Sequence, residues 1–420
     1  MSSQSVKLYK QLAKSKIVKN TINFDLTRIK AVLFKLGNPE KKLKNVINII
    51  GSDGKYSLLT SLKYFLEANN YRVSSYTSPS LRTIRERFWM GNSFLSCKNI
   101  YKTLKLIEKQ NIKLTIFEVL TVIFIINAAE ENNDYNLIEA GALFAKDSTN
   151  IFSFPLMQVI VNINKQHLNF VKKKTIGEII KQKVAFLSNF SRIYIGKQSN
   201  KNLKIIKFYL KDNTSEINYP NRWNVKIRDG RLVYFDKINK ISLDKSNINT
   251  FGLKKNLALA IKIALDLGIS QEIINKTIPK IKLQARAEYI TKGKLVKKIH
   301  KNEKILIDGC HSFVSGKNLA NYLRGINQKK IGIWSMSKNK NPEEFIKNFK
   351  NIFDKLFIVP LMDGSNIATR ELYYSAKKYN FKVKVVKNIN SAIEQLSSKE
   401  KKIICVFGSL YLCGDFLKRN

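Results

Sequence analysis

Short apolar runs alternate with amphipathic stretches along the first half of the chain. Residues 46–50, 72–76, 135–139, 157–163 and 193–195 form strand-length runs rich in β-branched and aromatic side chains. Between them, residues 58–69 and 176–187 repeat their apolar positions at helical spacing. Residues 119–129 are almost wholly apolar, but Glu118 and Asn127 bracket the run too closely for a membrane span of about 20 residues. That run predicts a buried helix. From 202 to 243 the pattern shortens to alternating pieces at 205–209, 223–227 and 232–235, with Asp229-Gly230 as a turn, predicting an antiparallel patch. A helix is expected over 254–267, after which strands at 304–307, 331–334, 356–359, 381–386 and 403–407 are separated by helical segments. Such alternation predicts α/β architecture with mainly parallel sheets and helices on both faces. The polar stretch 289–294 divides the chain into residues 1–292 and a compact second unit, 293–420, without internal repeats.

The charge changes the picture only in part. Seventy-five Lys+Arg face 31 Asp+Glu, a formal net charge of +44. One reading is a protein that binds nucleic acid or an anionic surface. The other is an excess spread over the whole surface. The lysines occur singly or in short runs such as Lys41-Lys42 and Lys172-Lys173-Lys174, with no block of five like charges, which favours the second reading. A diffuse positive field would still draw in an anionic substrate. Cys97, Cys310, Cys405 and Cys413 form no C-x-x-C pair and no secretory signal is evident, so a reduced, cytoplasmic protein is expected. His167, His300 and His311 have no zinc spacing with them.

The run 46–50 flows directly into Gly51-Ser52-Asp53-Gly54-Lys55-Tyr56-Ser57, and an amphipathic stretch follows. Strand, glycine turn and helix start together suit a phosphate. The glycines allow the tight turn, the helix offers its positive end, and the lysine neutralises charge. The spacing is not the general P-loop, which has four residues between glycines and Ser or Thr directly after Lys. Here two residues separate Gly51 and Gly54, and Tyr56 precedes Ser57. By itself the loop is equally an ordinary strand-to-helix turn.

Other segments, in order, make it one of a set. Leu36-Gly37-Asn38-Pro39 looks like an L-G-N-P opening, and Gly51 to Ser57 like G-T-N-G-K-G-S. Thr77-Ser78-Pro79-Ser80-Leu81 is close to T-S-P-H-L, and Ile116-Phe117-Glu118 to F-F-E. Residues 139–150 align without a gap on E-V-G-L-G-G-R-L-D-A-T-N, keeping Glu139, Gly141, Asp147, Thr149 and Asn150. Gln166-His167 stands at an Asp-His pair, Gln182-Lys183-Val184-Ala185 at E-K-A-G, Ala285-Arg286 at a G-R linker, and Asp308-Gly309-Cys310-His311-Ser312-Phe313 at D-G-A-H-N-P. The chain resembles the Mur-ligase superfamily, and within it the folylpolyglutamate synthase/dihydrofolate synthase family.

The resemblance implies a Mur-ligase-like α/β fold, with a P-loop central domain and a smaller Rossmann-like C-terminal domain. It implies an ATP-dependent ligase that joins L-glutamate to dihydropteroate or a folate through an acyl phosphate. Ser52, Asp53, Gly54 and Lys55 would wrap the ATP phosphates, and Ser78, Glu139 and His167 would hold Mg²⁺, one ion or two. Lys183 matches a lysine that the family carbamylates. Asn256 and Arg286 would contact the nucleotide, and Asp308 and His311 would meet ATP. Lys55, Lys183 and His311 would be the catalytic groups, with Phe117, Glu118 and Asp147 on the pterin side. The expected partners are small molecules (ATP, L-glutamate and a pterin acid), with no specific nucleic acid, no membrane and a monomeric state.

Each residue also has a plain alternative. Ser78 before Pro79 is by default a turn residue, Glu139 a buried structural acid, His167 a satisfied polar side chain and Lys183 one more surface lysine. The departures matter too. Tyr56 replaces a glycine, Leu143-Phe144-Ala145 replaces Gly-Gly-Arg, Gln166 an aspartate and Ser312 an asparagine. A Mur-type ligase with a non-folate acceptor, and a basic nucleic-acid-binding protein, stand as the competing readings.

Overall fold

The computed structural model describes residues 8, 11–19, 24–228, 231–362 and 364–420. The chain divides into two units, Met1–Ser246 with Lys255–Ile281, and Asn247–Lys254 with Lys282–Asn420.

The first unit is built on a seven-stranded sheet in the order Phe88–Met90, Val73–Tyr76, Tyr135–Glu139, Val46–Ile50, Met157–Ile160, Arg192–Ile195 and Ile217–Asn218. Only Phe88–Met90 runs antiparallel to its neighbour. Every residue of Val46–Ile50 and Tyr135–Glu139 is buried, as expected of central parallel strands covered on both faces. The apolar run near 119–129 is indeed a buried helix, Ile116–Glu131. Thr115 and Glu118 close a reciprocal capping box at its start, a device that contributes about 1 kcal/mol.

Two expectations need correction or limiting. Residues 205–209 are not a strand but the end of a helix, Asn200–Tyr209, whose N-cap Ser199 accepts from the Asn202 N–H. Leu203, Ile206 and Leu210 recur at helical spacing, and tertiary packing of Ile206 outweighs the β-prone composition. The antiparallel patch is present downstream as Asn224–Arg228, Arg231–Phe235 and Lys240–Ser242, while the Asp229-Gly230 turn lies outside the described residues.

The second unit carries a six-stranded sheet in the order Glu288–Ile290, Glu303–Asp308, Lys402–Phe407, Lys329–Trp334, Lys355–Ile358 and Val383–Val385. All pairs are parallel except the edge strand Glu288–Ile290. The five strands expected after residue 290 are therefore all present. Lys402–Phe407 is buried along its whole length, and an aromatic cluster of Phe345, Phe349, Phe353 and Phe407 packs beside it. Among the described residues no helix is long and apolar enough to cross a membrane, and the four cysteines are free.

Candidate active site

In open parallel sheets, ligands gather beyond the carboxyl ends of the strands. Gly51 follows the strand Val46–Ile50 there, with φ of +146°, and Gly54 is the N-cap of the helix Lys55–Ala68, with φ of +100°. Both conformations favour glycine, and space demands it as well. A Cβ on Gly51 would come within 2.4 Å of Val161, and one on Gly54 within 2.2 Å of the Asn256 side-chain nitrogen. Asn256 in turn donates to Ser57 Oγ at 3.0 Å, tying the helix start in place. The N–H groups of Ser52 and Asp53 point at the carbonyl of Asn162, at 2.8 and 3.4 Å. The first-turn amides of the helix have no intrahelical acceptor by geometry, so its N-terminus is the anion-attracting part of the loop.

Lys55 is buried and folds back over the turn, its Nζ lying 3.4 Å from the Gly51 carbonyl and 3.3 Å from that of Ser52. Glu139, buried at the end of its strand, comes within 3.8 Å of the same nitrogen. Its other carboxylate oxygen accepts the Ser78 N–H at 3.1 Å, next to a cis Ser78–Pro79 bond. The structure thus brings together Lys55, Glu139 and Ser78. His167 sits in a left-handed turn at φ of +62°, its ring stacked on Phe170 at 5.9 Å. Among the described residues no three His, Cys, Asp or Glu side chains cluster as a metal site.

Lys183 is not a surface lysine. Only 1% exposed, it donates to the carbonyls of Gly51, at 2.8 Å, and Ala142. Burial, helped by the nearby Lys55 charge, brings its pKa down to about 7. Asp147 accepts from the Ala142 and Thr149 N–H groups and from Thr149 Oγ1, and so fixes the 142–149 turn. Its burial raises its pKa against those hydrogen bonds. Phe117 lies beside Gly141 and Asp147, where a Cβ on Gly141 would meet its ring at 2.7 Å. Glu118, one residue on, is committed elsewhere, to the Thr115 cap and to Arg28 at 3.0 Å.

In the second unit, Asp308 ends its strand and accepts the N–H groups of Ala287, at 2.8 Å, and Cys310, at 2.7 Å. Ala285 and Ala287 both adopt positive φ, +51° and +49°, so the carboxylate fixes a strained turn around Arg286. Burial raises the Asp308 pKa, opposed first by the Arg286 charge. His311 Nδ1 lies 3.0 Å from the Gly309 carbonyl. A carbonyl only accepts, so Nδ1 is the donor in this contact.

Residues 291–419 match the family model described as dihydrofolate synthetase, C-terminal domain. The chain is 24% identical to dihydrofolate synthetase of Saccharomyces cerevisiae over 94% of its own length and 98% of the relative's. It is 23% identical to dihydrofolate synthase/folylpolyglutamate synthase of Bacillus subtilis, over 94% of each. Residues 291–419 carry that family's C-terminal domain, and the whole chain is similar to folylpolyglutamate synthases/dihydrofolate synthases. Its Mur-ligase-like fold is that of the bifunctional folylpolyglutamate synthase/dihydrofolate synthase of Yersinia pestis, solved with AMPPNP and a Mn ion. That match has a TM-score of 0.84 at 18% identity and covers 99% of this chain and 98% of that one.

Sequence reasoning missed the partners of Asp53. Asn164 Nδ2 donates to it at 2.6 Å and Gln166 Nε2 at 3.0 Å. A signal was present: Asn162, Asn164 and Gln166 recur at every second position just past a strand. Lys183 gives this chain a measurable pH signature. Below about pH 7 the buried amine is charged in the folded chain, as in the unfolded one, and its burial penalty is felt in full. Between about 7 and the usual 10.5 the unfolded chain holds a proton that the folded chain has released, so stability rises with pH across that window. In Lys183→Met that rise should flatten, read as melting temperature against pH beside the wild type. Equal slopes in the two proteins would show that Lys183 titrates normally.

Proposed function

We propose that the chain adds L-glutamate to a pteroate carboxylic acid through an acyl phosphate, with dihydropteroate as its first acceptor. It is an ATP-dependent ligase, as its relatives are named synthases; the intermediate and the acceptor are the proposal. The acceptor carboxylate attacks the γ-phosphorus of ATP, the bond to the bridging oxygen breaks, and ADP leaves. The uncharged amine of glutamate then attacks the acyl carbon, phosphate departs, and the amine proton passes to water. Such transfer is mostly positioning and charge neutralisation. Lys55 supplies a cation at the loop. Ser78, Glu139 and His167 would hold Mg²⁺, which when bound offsets phosphate charge. A buried carboxylate suits an ion that takes oxygen ligands and keeps several of its waters. Lys183, neutral in part near pH 7, is the amine that would add CO₂ to become a carbamate, releasing one proton. Asn256, Arg286, Asp308 and His311 are assigned to the nucleotide, and Phe117 and Asp147 to the acceptor side.

The observation that carries this reading is the meeting of Lys55, Glu139 and the Ser78 N–H at a glycine loop. The preference for dihydropteroate rests on the dihydrofolate synthetase description of the matched C-terminal domain and of the yeast relative. Glutamate-dependent ADP release, measured separately with dihydropteroate and tetrahydrofolate, tests it. Turnover with dihydropteroate is expected. Release with neither acid would sink the folate reading and favour another acceptor. Leu143, Phe144 and Ala145 motivate that second reading, because they are buried apolar residues where the motif has Gly-Gly-Arg.

A further inference from the structure

The segment after the strand Met157–Ile160 is fastened to the glycine loop by every second residue. Asn162 accepts the Ser52 and Asp53 N–H groups through its carbonyl. Asn164 accepts from Ser52 Oγ through its carbonyl at 3.3 Å and donates its N–H back at 3.1 Å. The two oxygens of Asp53 are then taken separately: Oδ2 by the Asn164 amide at 2.6 Å, Oδ1 by the Gln166 amide at 3.0 Å. Gln166 is 9% exposed, and the next residue is His167 in its left-handed turn.

We propose that Asp53, Asn164 and Gln166 form a carboxylate–amide latch that holds the nucleotide loop in register with the His167 turn. Asp53 is then a positioning residue that acts through this latch. The inference rests on reading the loop as the nucleotide site. The sequence supplies an independent reason. The motif that the loop resembles has Asn at position 53 and Asp at position 166, and this chain has Asp and Gln there. Both positions have changed, in opposite senses. A pair with the amide on the loop has become one with the carboxylate on the loop, so one donor and one acceptor still meet.

An exchange experiment separates a latch from two unrelated changes. In Asp53→Asn, two side-chain amides converge on a single carbonyl oxygen. In Gln166→Glu, two carboxylates face each other about 3 Å apart, a destabilising contact. In Asp53→Asn with Gln166→Glu, the Asn oxygen serves Asn164 and its NH₂ donates to the new carboxylate. The readouts are Mg·ADP affinity by calorimetry, melting temperature, and glutamate-dependent turnover. Each single variant should weaken Mg·ADP binding about tenfold, the scale of one hydrogen bond to a charged group. The double variant should recover to within about threefold of wild type, because contacting residues couple. A double variant no better than the worse single overturns the latch. So does recovery of melting temperature alone with Mg·ADP affinity the same in every variant, since that reduces the contact to a staple of the fold. A wild type that binds no Mg·ADP overturns the nucleotide reading, and the latch's role with it, and is told apart by needing no variant at all.

Discussion

Lys55→Ala is expected to lower glutamate-dependent ADP release by about a hundredfold or more while the chain still folds. In the proposed reaction the lysine faces the charge that builds during phosphoryl transfer, and it sits at the glycine loop rather than in an apolar core. Its Nζ is held over the Gly51 and Ser52 carbonyls and 3.8 Å from Glu139. The helix that it begins is anchored elsewhere, through buried Leu58, Leu59, Leu62, Phe65 and Leu66. A cation that acts on developing charge should affect turnover more than ATP binding, so kcat should fall further than KM rises. The substitution has a second, smaller consequence. The Lys55 charge helps to depress the Lys183 pKa, so its removal should move that amine upward and leave less of it neutral near pH 7. Lys55→Met, which keeps the apolar stem, separates lost packing from lost charge. Near wild-type kcat in both variants would remove the loop from the mechanism.

The parts of the fold that were legible in the sequence are those where one physical signal dominates. Central parallel strands such as Val46–Ile50 and Lys402–Phe407 are buried on both faces, so they read as unbroken apolar runs. Residues 205–209 misled because Ile, Phe and Tyr favour strands, whereas the Ser199 cap and the spacing of Leu203, Ile206 and Leu210 favour a helix. The site was legible only in pieces. The glycine loop could be argued from backbone needs alone. Lys183 could not, because burial of one lysine in a chain this rich in lysine leaves no mark on the sequence. Glu118 was readable in another way: Thr115-Ile116-Phe117-Glu118 has the T-x-x-E form of a capping box, and the structure uses it as one. The Asp53 latch joins residues more than a hundred positions apart, so the alternation of Asn162, Asn164 and Gln166 marks one side of it without naming its partner.

Glu139→Gln should reduce turnover by about a hundredfold and raise the half-saturating Mg²⁺ concentration by about tenfold. The amide is nearly isosteric and keeps an oxygen to accept the Ser78 N–H, so the contact that the structure gives this carboxylate at 3.1 Å survives. What is lost is the charge, at a site only 3% exposed where water cannot replace it. Two effects of that loss point the same way. A divalent ion loses an anionic ligand, and Lys55 loses the partner that draws its Nζ toward the strand end. His167→Ala should shift the Mg²⁺ titration in the same direction. The double variant should be no worse than the poorer single, because groups that hold one ion act as a unit. Melting temperature separates the roles, since a purely structural acid would show its loss there and leave the Mg²⁺ dependence unchanged. If Glu139→Gln follows the wild-type curve across a Mg²⁺ titration, Glu139 serves only as the buried counter-charge of Lys55, and the ion must be held by other oxygens.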